Sequence, residues 1–142
     1  VFVLLISFID IYFNIMNITS SKELVDKANE SIKVISPEQV KTAYEKGEIT
    51  LIDVRDIREL WKEGTIKESI HIPRGMLEFW LDPESAYFKN GKLDINKEMV
   101  LFCAGGLRSA LAAKSLKDMG FEKVSHIDGG FAAIKQSKFK IV

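Results

Sequence analysis

The sequence predicts an α/β fold, a three-layer arrangement of about five mostly parallel strands with helices on both faces of the sheet. Strand-like and helical segments alternate about five times along the chain, which is typical of parallel sheets. The segment 99–102 is continuously apolar, as expected for a strand covered on both faces. The length of 142 residues, 46% of them apolar, fits a single globular domain.

Two helices in the first third of the domain have clear N-terminal signals. Residues 20–23 have the spacing of a capping box, and apolar residues follow at helical intervals. A short strand is predicted at 32–35. The Ser-Pro-Glu-Gln sequence at 36–39 then starts a second helix, because serine favours the cap and proline the first turn, and Gly47 ends it.

The middle of the chain alternates short apolar and polar segments. Residues 50–54 form a buried strand, and a charged helical turn follows through 58–61. Residues 69–72 form another short strand, which Pro73 ends. The polar, turn-rich residues 82–98 are predicted to connect this strand to the next one over the surface.

The last third contains the strongest helix. After the strand 99–102, the helix 107–119 ends at Gly120, the strand 124–127 follows, and a short helix covers 131–134. The apolar residues that share one face of the 107–119 helix are Leu111, Ala112, Leu116 and Met119. This pattern predicts a helix packed on the sheet.

Residues 1–18 are far more apolar than the domain at 19–142. As a secretory signal the segment lacks a basic start and a clear cleavage site, and as a membrane span it contains Asp10 and Asn14. It could also be a core element. We favour translation from Met16, with the residues before it being translated upstream sequence. That interpretation predicts a cytoplasmic protein, and the alternative is export or membrane anchoring through residues 1–18.

The composition argues against several classes of function. Twenty basic and twenty acidic residues give no net charge, which speaks against a dedicated nucleic-acid binder. One cysteine and two histidines leave little from which to build a metal site, so we expect neither a metal nor a cofactor. His71 and His126 lie on predicted strands, where we expect them to satisfy local hydrogen bonds. Cys103 is the only thiol in the chain.

Cys103 lies between the apolar strand and the strongest helix, at the sheet edge where parallel folds place their reactive sites. Gly105 and Gly106 allow the backbone to curl, so that successive N–H groups converge on one point and bind an anion there. The following helix adds its positive end. A thiolate is such an anion, so this placement favours a nucleophilic sulfur near neutral pH.

Arg108 adds a fixed positive charge and a planar set of donors beside the cysteine. Its position on the 107–119 helix falls on the apolar, inward side. An inward arginine needs an anionic partner, and the thiolate, a bound oxyanion or Asp53 could serve. A lone cysteine at a strand end is usually a small buried hydrophobe, but strand, Cys, Gly-Gly, Arg and helix together favour a nucleophile.

The chain resembles the single-domain rhodaneses, sulfurtransferases of the thiosulfate type, over about residues 32–136. The resemblance is carried by the active loop 103–109, by Asp-Val-Arg at 53–55, by residues 59–66 and by residues 129–133. It implies a five-stranded parallel sheet flanked by helices. It also implies that the cysteine accepts a sulfane sulfur, becomes a persulfide and passes the sulfur to a nucleophilic acceptor.

The resemblance also implies roles for single residues. Cys103 and Arg108 would be catalytic, and Asp53 and Arg55 would brace the active loop from the neighbouring strand end. The other active-loop residues, which would bind the substrate, are Ala104, Gly105, Gly106, Leu107 and Ser109. The implied partners are a small thiosulfate-like donor anion and a thiol, cyanide or protein acceptor.

Two other functions compete with sulfur transfer. Phosphatases and arsenate reductases of related fold resemble Cys-x5-Arg, whereas Cys103 and Arg108 enclose four residues. The shorter loop leaves room for a terminal sulfur but hardly for a bound phosphate. Non-catalytic rhodanese-like binding modules usually lack the cysteine, which is present here. We therefore rank sulfur transfer first, the phosphatase or reductase second and the binding module third.

Overall fold

The computed structural model describes residues 1–89, 93–94 and 96–142 and contains a five-stranded parallel sheet of order β1-β5-β4-β2-β3. The strands are β1 (Lys33–Ile35), β2 (Ile49–Asp53), β3 (Ile70–His71), β4 (Glu98–Phe102) and β5 (Val124–Ile127). The helices are α1 (Phe2–Met16), α2 (Ser21–Ser31), α3 (Pro37–Glu45), α4 (Ile57–Glu63), α5 (Leu77–Leu81), α6 (Leu107–Asp118) and α7 (Gly130–Ile134). The predicted α/β fold is confirmed.

Side-chain caps explain where three of these helices begin. The Ser20 hydroxyl accepts a hydrogen bond from the Glu23 N–H at the start of α2. Ser36 and Gln39 form a complete capping box at the start of α3, as the sequence predicts. Asp56 forms a second complete box with the residue three positions later at the start of α4. Each cap satisfies N–H groups that the helix itself leaves unpaired.

The sheet separates two apolar cores because side chains alternate along each strand. In β4 and just after it, Met99, Leu101 and Cys103 belong to one core, which α2, α5 and α6 cover. Val100 and Phe102 belong to the other core, which α3 and α7 cover. All five are buried, so β4 is the central strand that the continuous apolar run predicts.

Three details differ from the sequence prediction or extend it. A 3-10 turn at Arg74–Met76 leads into α5, and the sequence predicts neither of these two elements. Met119 is 42% exposed because α6 ends before it, whereas Ala112 and Leu116 of the predicted apolar face are buried together with Ala110 and Ala113. In the predicted 82–98 connection, residues 90–92 and 95 lie outside the described residues.

The apolar N-terminal segment forms α1, and none of its side chains is buried. The interpretation of residues 1–18 as a core element is therefore wrong. By length and composition alone, Phe2–Ser31 is the one helical stretch among residues 1–89, 93–94 and 96–142 that is apolar enough to cross a membrane.

Because α1 buries nothing, we expect removal of residues 1–18 to leave the melting temperature within about 2 °C of the full chain. The matched control removes residues 1–31, which deletes α2 and with it the buried Val25 and Ala28. This control should melt clearly lower, because a packed core loses its cover. Thermal unfolding followed by circular dichroism measures both. A large loss of stability on the shorter deletion would contradict the prediction.

Candidate active site

Cys103 lies directly after β4, at the edge of the sheet where the carboxyl ends of the parallel strands meet. Its side chain is only 1% exposed. The chain then turns through Ala104 and Gly105 into Gly106, whose φ of +100° lies in the left-handed region that glycine adopts readily. Gly106 caps α6, so the sulfur lies beside the N-terminus of this helix.

Hydrogen-bond donors converge on the sulfur. The Gly106 N–H donates to Cys103 Sγ at 3.1 Å, and the Ser109 N–H donates to it at 3.4 Å. The thiol in turn donates to Ser109 Oγ at 3.5 Å. Backbone N–H groups and the positive end of a helix stabilise a negative charge on sulfur. The loop is therefore arranged to hold an anionic sulfur atom.

The same loop has further donors without a partner. The N–H groups of Gly105, Leu107 and Arg108 have no hydrogen-bond acceptor within the described part of the chain. They belong to the loop and to the first turn of α6, where the helix leaves its N–H groups unpaired. Such donors bind anions when a ligand reaches them.

The start of α7 holds the loop in place. The Phe131 N–H donates to the Cys103 carbonyl at 2.7 Å, and the Ala132 N–H donates to the Ala104 carbonyl at 3.2 Å. Gly130 allows this close approach, because a Cβ atom there would lie 2.5 Å from the Cys103 carbonyl oxygen. Its φ of +57° also favours glycine.

Arg108 is paired with Glu59, a residue that the sequence prediction did not consider as its partner. Its two terminal nitrogens donate to the two Glu59 carboxylate oxygens at 2.7 and 2.9 Å. The expectation of an inward arginine is only partly right, because its side chain is 43% exposed. Hydrogen bonding from Arg108 lowers the pKa of Glu59, and the same pair raises the pKa of Arg108, to which the nearby Cys103 also contributes.

Asp53 and Arg55 form a buried ion pair below the loop. Arg55 donates to both Asp53 oxygens through Nε and to one of them through a terminal nitrogen at 2.7 Å, and both side chains are at most 1% exposed. Within the described residues, neither side chain hydrogen-bonds to residues 103–109. The Arg55 guanidinium instead lies 4.0 Å from the Phe131 ring centre. Its link to the loop therefore runs through Phe131, whose N–H binds the Cys103 carbonyl.

His126 makes the hydrogen bonds that are expected of it from the sequence, and one of its partners is Ser109, which contacts the sulfur. Its Nδ1 lies 3.0 Å from Ser109 Oγ, and its Nε2 lies 2.8 Å from Asn29 Oδ1 on α2. Burial lowers the pKa of His126, and the Asp128 carboxylate opposes this shift to a smaller extent. His71, the other histidine, hydrogen-bonds to the Arg55 carbonyl through Nε2, at 2.7 Å.

Sequence reasoning missed Glu59 and His126 as parts of this site. Glu59 had a visible signal, since it closes the capping box that Asp56 opens at the start of a helix beside the sheet edge. The signal for His126 lies in the strand register, where it pairs with Leu101 and so faces the same side of the sheet as Cys103. That register is a property of the folded sheet.

The described fold and its cysteine loop define a class of protein, the rhodanese-like domains. The profile of that family, "Rhodanese-like domain", matches residues 36–137. The chain belongs to this family. The match begins at the cap of α3 and ends just beyond α7, so that it contains the whole active loop and leaves α1 and α2 outside.

Among its relatives, the putative sulfurtransferase YtwF of Bacillus subtilis is 38% identical over 103 residues, 72% of this chain and 89% of that protein. Thiosulfate sulfurtransferase GlpE of Pseudomonas savastanoi pv. phaseolicola is 35% identical over 99 residues, 70% of this chain and 83% of that protein. The tRNA uridine(34) hydroxylase of Ehrlichia ruminantium is 29% identical over 124 residues, 83% of this chain, but the chain spans only 45% of it. The sulfurtransferase relatives support an enzyme of sulfurtransferase type.

Solved structures agree on the fold. A protein of unknown function from Rhodopseudomonas palustris, described as a possible tyrosine phosphatase, has a TM-score of 0.82 at 41% identity, covering 87% of this chain and 95% of its own. The polysulfide-sulfur transferase of Wolinella succinogenes, a homodimer, has a TM-score of 0.67 at 32% identity and covers 85% of each chain. These two neighbours have different functional descriptions. Which of the two activities fits this chain better therefore depends on the geometry of the loop at residues 103–109.

Proposed function

We propose that this protein is a sulfurtransferase that moves a sulfane sulfur from thiosulfate or a persulfide donor to a thiophilic acceptor through a persulfide on Cys103. The observation that carries the proposal is the pair of N–H groups, from Gly106 and Ser109, that point at the buried sulfur. A thiolate has its negative charge on this sulfur, and a persulfide has it on the next sulfur, one bond beyond Sγ. The site residues implied by the resemblance are Cys103 and Arg108 as catalytic groups and residues 104–107 and 109 as the surrounding loop.

In the first step, the Cys103 thiolate attacks the outer sulfur of thiosulfate. A new S–S bond forms to Sγ, the S–S bond of thiosulfate breaks, and sulfite leaves with the bonding electron pair. The terminal sulfur then carries the negative charge, one bond beyond Sγ. The N–H groups of Gly105, Leu107 and Arg108, which have no acceptor within the described residues, are available to stabilise it.

In the second step, a nucleophile such as cyanide or a thiolate attacks the terminal sulfur. The bond between that sulfur and Sγ breaks, and its electron pair returns to Cys103 as thiolate. No second cysteine is present to displace the sulfur as an internal disulfide. We therefore expect the persulfide to persist until an external acceptor arrives.

The proposal is tested by intact mass after incubation with thiosulfate. One added sulfur atom, located on the peptide that contains Cys103 and removed by cyanide with formation of thiocyanate, is the expected result. Protein alkylated at Cys103 beforehand is the control and should gain no sulfur. Absence of a cyanide-labile sulfur with thiosulfate, polysulfide and an organic persulfide alike would overturn the proposal.

Replacement of Arg108 should mainly slow the reaction with the anionic donor. Arg108→Ala removes fixed positive charge beside the sulfur, and because the side chain is 43% exposed we expect a loss in kcat/KM for thiosulfate of only about tenfold. Arg108→Lys should recover part of this, because an ammonium group keeps the charge and loses the planar fork.

The matched control is Arg58→Ala, which removes another exposed arginine that is paired with a carboxylate, Asp56. Steady-state rates with thiosulfate and cyanide should be unchanged in this control. An uncharged donor, such as a dialkyl trisulfide, should react with Arg108→Ala nearly as fast as with the natural chain. Equal losses for charged and uncharged donors would contradict a role in anion recognition.

Phosphatase activity is the second candidate, because the Rhodopseudomonas palustris neighbour is described as a possible tyrosine phosphatase. Two features argue against it. Only four residues separate Cys103 from Arg108, one fewer than in the Cys-x5-Arg pattern, and both terminal nitrogens of Arg108 are hydrogen-bonded to Glu59, so a phosphate would have to displace this carboxylate. An aryl phosphate assay should therefore show no hydrolysis above background. Efficient hydrolysis that is lost on alkylation of Cys103 would favour the phosphatase.

A further inference from the structure

We propose that Ser109, His126 and Asn29 form a hydrogen-bonded chain that carries the thiol proton of Cys103 to the imidazole ring of His126. Ser109 touches the reacting sulfur, whereas His126 and Asn29 act through it as positioning residues. The proposal rests on the proposed function, because it explains how the thiolate required for sulfur transfer is produced inside a buried site. Asn29 lies on α2, outside the residues that match the family profile.

The chain of contacts is continuous and buried. Cys103 Sγ lies 3.5 Å from Ser109 Oγ, Ser109 Oγ lies 3.0 Å from His126 Nδ1, and His126 Nε2 lies 2.8 Å from Asn29 Oδ1. Ser109 is fully buried, and His126 is 2% exposed. Asn29 is half-buried and closes the chain from the α2 side. Three separate elements (α2, β5 and α6) and the loop after β4 therefore contribute to one line of polar groups.

The direction of each hydrogen bond in the chain follows from Asn29, the residue furthest from the sulfur. Asn29 presents an amide oxygen, which only accepts, so His126 Nε2 carries a hydrogen atom. In the neutral ring Nδ1 then has a free electron pair, and the Ser109 hydroxyl donates to it. The Ser109 oxygen is left to accept from the Cys103 thiol. Along this chain of side chains every hydrogen points away from the sulfur when it is a thiol, while the backbone N–H groups of Gly106 and Ser109 point toward it.

Transfer of the proton reverses the direction of two hydrogen bonds, the one between Cys103 and Ser109 and the one between Ser109 and His126. Only hydrogen atoms need to move. The S–H bond breaks and its proton moves to Ser109 Oγ, while the original hydroxyl proton moves to His126 Nδ1. The products are a thiolate and an imidazolium, so one negative and one positive charge form and no co-reactant is needed. The Ser109 hydroxyl now donates to the sulfur, as a third donor beside the N–H groups of Gly106 and Ser109.

The surroundings of His126 favour a neutral imidazole ring as long as Cys103 is a thiol. Burial lowers its pKa, so the ring is available as an acceptor, and the Asp128 carboxylate after β5 favours the charged form. The other groups that face the ring are Asn29 from α2, Ser109 from α6 and, beyond Ser109, Cys103 after β4. A thiolate on Cys103 adds a second negative charge that stabilises the imidazolium.

Alkylation by iodoacetamide tests the proposal directly, because Cys103 is the only thiol and the reaction consumes thiolate without any sulfur donor. His126→Gln keeps a hydrogen-bonding side chain and removes the base. We expect its alkylation rate at pH 7 to fall by roughly tenfold, below the factors of about 10² to 10⁴ found for general acid–base groups in catalysis. Asn29→Leu should have a smaller effect in the same direction.

The matched control is His71→Gln, which removes the other histidine and should leave the rate unchanged. The dependence of the alkylation rate on pH separates a role in proton transfer from a role in the fold alone. If His126 accepts the proton, its titration should change the rate in the natural chain, and this change should be absent in His126→Gln. A folded His126→Gln variant with the natural rate and profile would overturn the proposal. Because no sulfur donor takes part, slow alkylation in a variant remains interpretable even if the protein transfers no sulfur.

Nitrogen NMR of the histidine rings in the natural chain provides a second measurement that does not depend on a variant of His126, and His71→Gln assigns the signals. In the thiol form we expect hydrogen on Nε2 and an electron pair on Nδ1. After persulfide formation the charge lies one bond beyond Sγ and Sγ no longer takes back the proton, so both nitrogens should be protonated. A thiol form with the hydrogen on Nδ1 would overturn the proposal.

Discussion

Replacing Cys103 by serine is expected to abolish sulfur transfer altogether. A hydroxyl is a far poorer nucleophile than a thiolate near neutral pH, and no other thiol exists in the chain to replace it. The loss should therefore reach the background rate of thiocyanate formation, a far larger effect than replacement of any group that only binds the donor. The added sulfur should also be missing from the intact mass after incubation with thiosulfate.

The serine variant should keep its fold, because the side chains are of similar size and a hydroxyl oxygen can also accept from the Gly106 and Ser109 N–H groups. The contacts that hold the loop against α7 do not involve the sulfur. The Cys103 and Ala104 carbonyls would still accept hydrogen bonds from Phe131 and Ala132. Thermal unfolding close to that of the natural chain is thus the control that separates lost chemistry from lost structure. Turnover with thiosulfate and cyanide by a folded serine variant would contradict the persulfide mechanism.

The strands and helices that position the loop were predictable because each is specified locally. The continuous apolar run before Cys103 identifies β4, and the Ser-Pro-Glu-Gln sequence at residues 36–39 identifies the start of α3. The loop between β4 and α6 is likewise a local feature, since Gly106 supplies the positive φ at which the helix begins. Alternating local signals of this kind define a parallel α/β sheet.

Which residues of the site pair with one another was not predictable, because the partners come from distant parts of the chain. Arg108 binds Glu59, 49 positions away, and His126 binds Asn29, 97 positions away. Charge alone offered Asp53 as a partner for Arg108, but Asp53 is already bound by Arg55 two positions later. Which carboxylate reaches which arginine depends on the order of the strands, and periodicity does not specify that order.

Neutralising Asp53 is expected to destabilise the protein more than any change at the surface. Asp53→Asn keeps the size of the side chain and leaves the Arg55 guanidinium, which is 1% exposed, without its counter-charge. Loss of one partner from a buried ion pair costs about 3–5 kcal/mol. That is a large fraction of the roughly 5–15 kcal/mol by which a domain of this kind is stable. Thr65, whose hydroxyl donates to Asp53, would lose a charged acceptor as well.

Urea unfolding measures this effect, and Asp56→Asn is the matched control. Asp56 also pairs with an arginine two positions later, but this pair is exposed, and asparagine is as good a helix cap as aspartate. The control should therefore unfold close to the natural chain. Because Arg55 lies against Phe131, and Phe131 holds the Cys103 carbonyl, the Asp53→Asn variant should also transfer sulfur more slowly while it is still folded. Equal stabilities of the two variants would show that the buried pair has no special role in the fold.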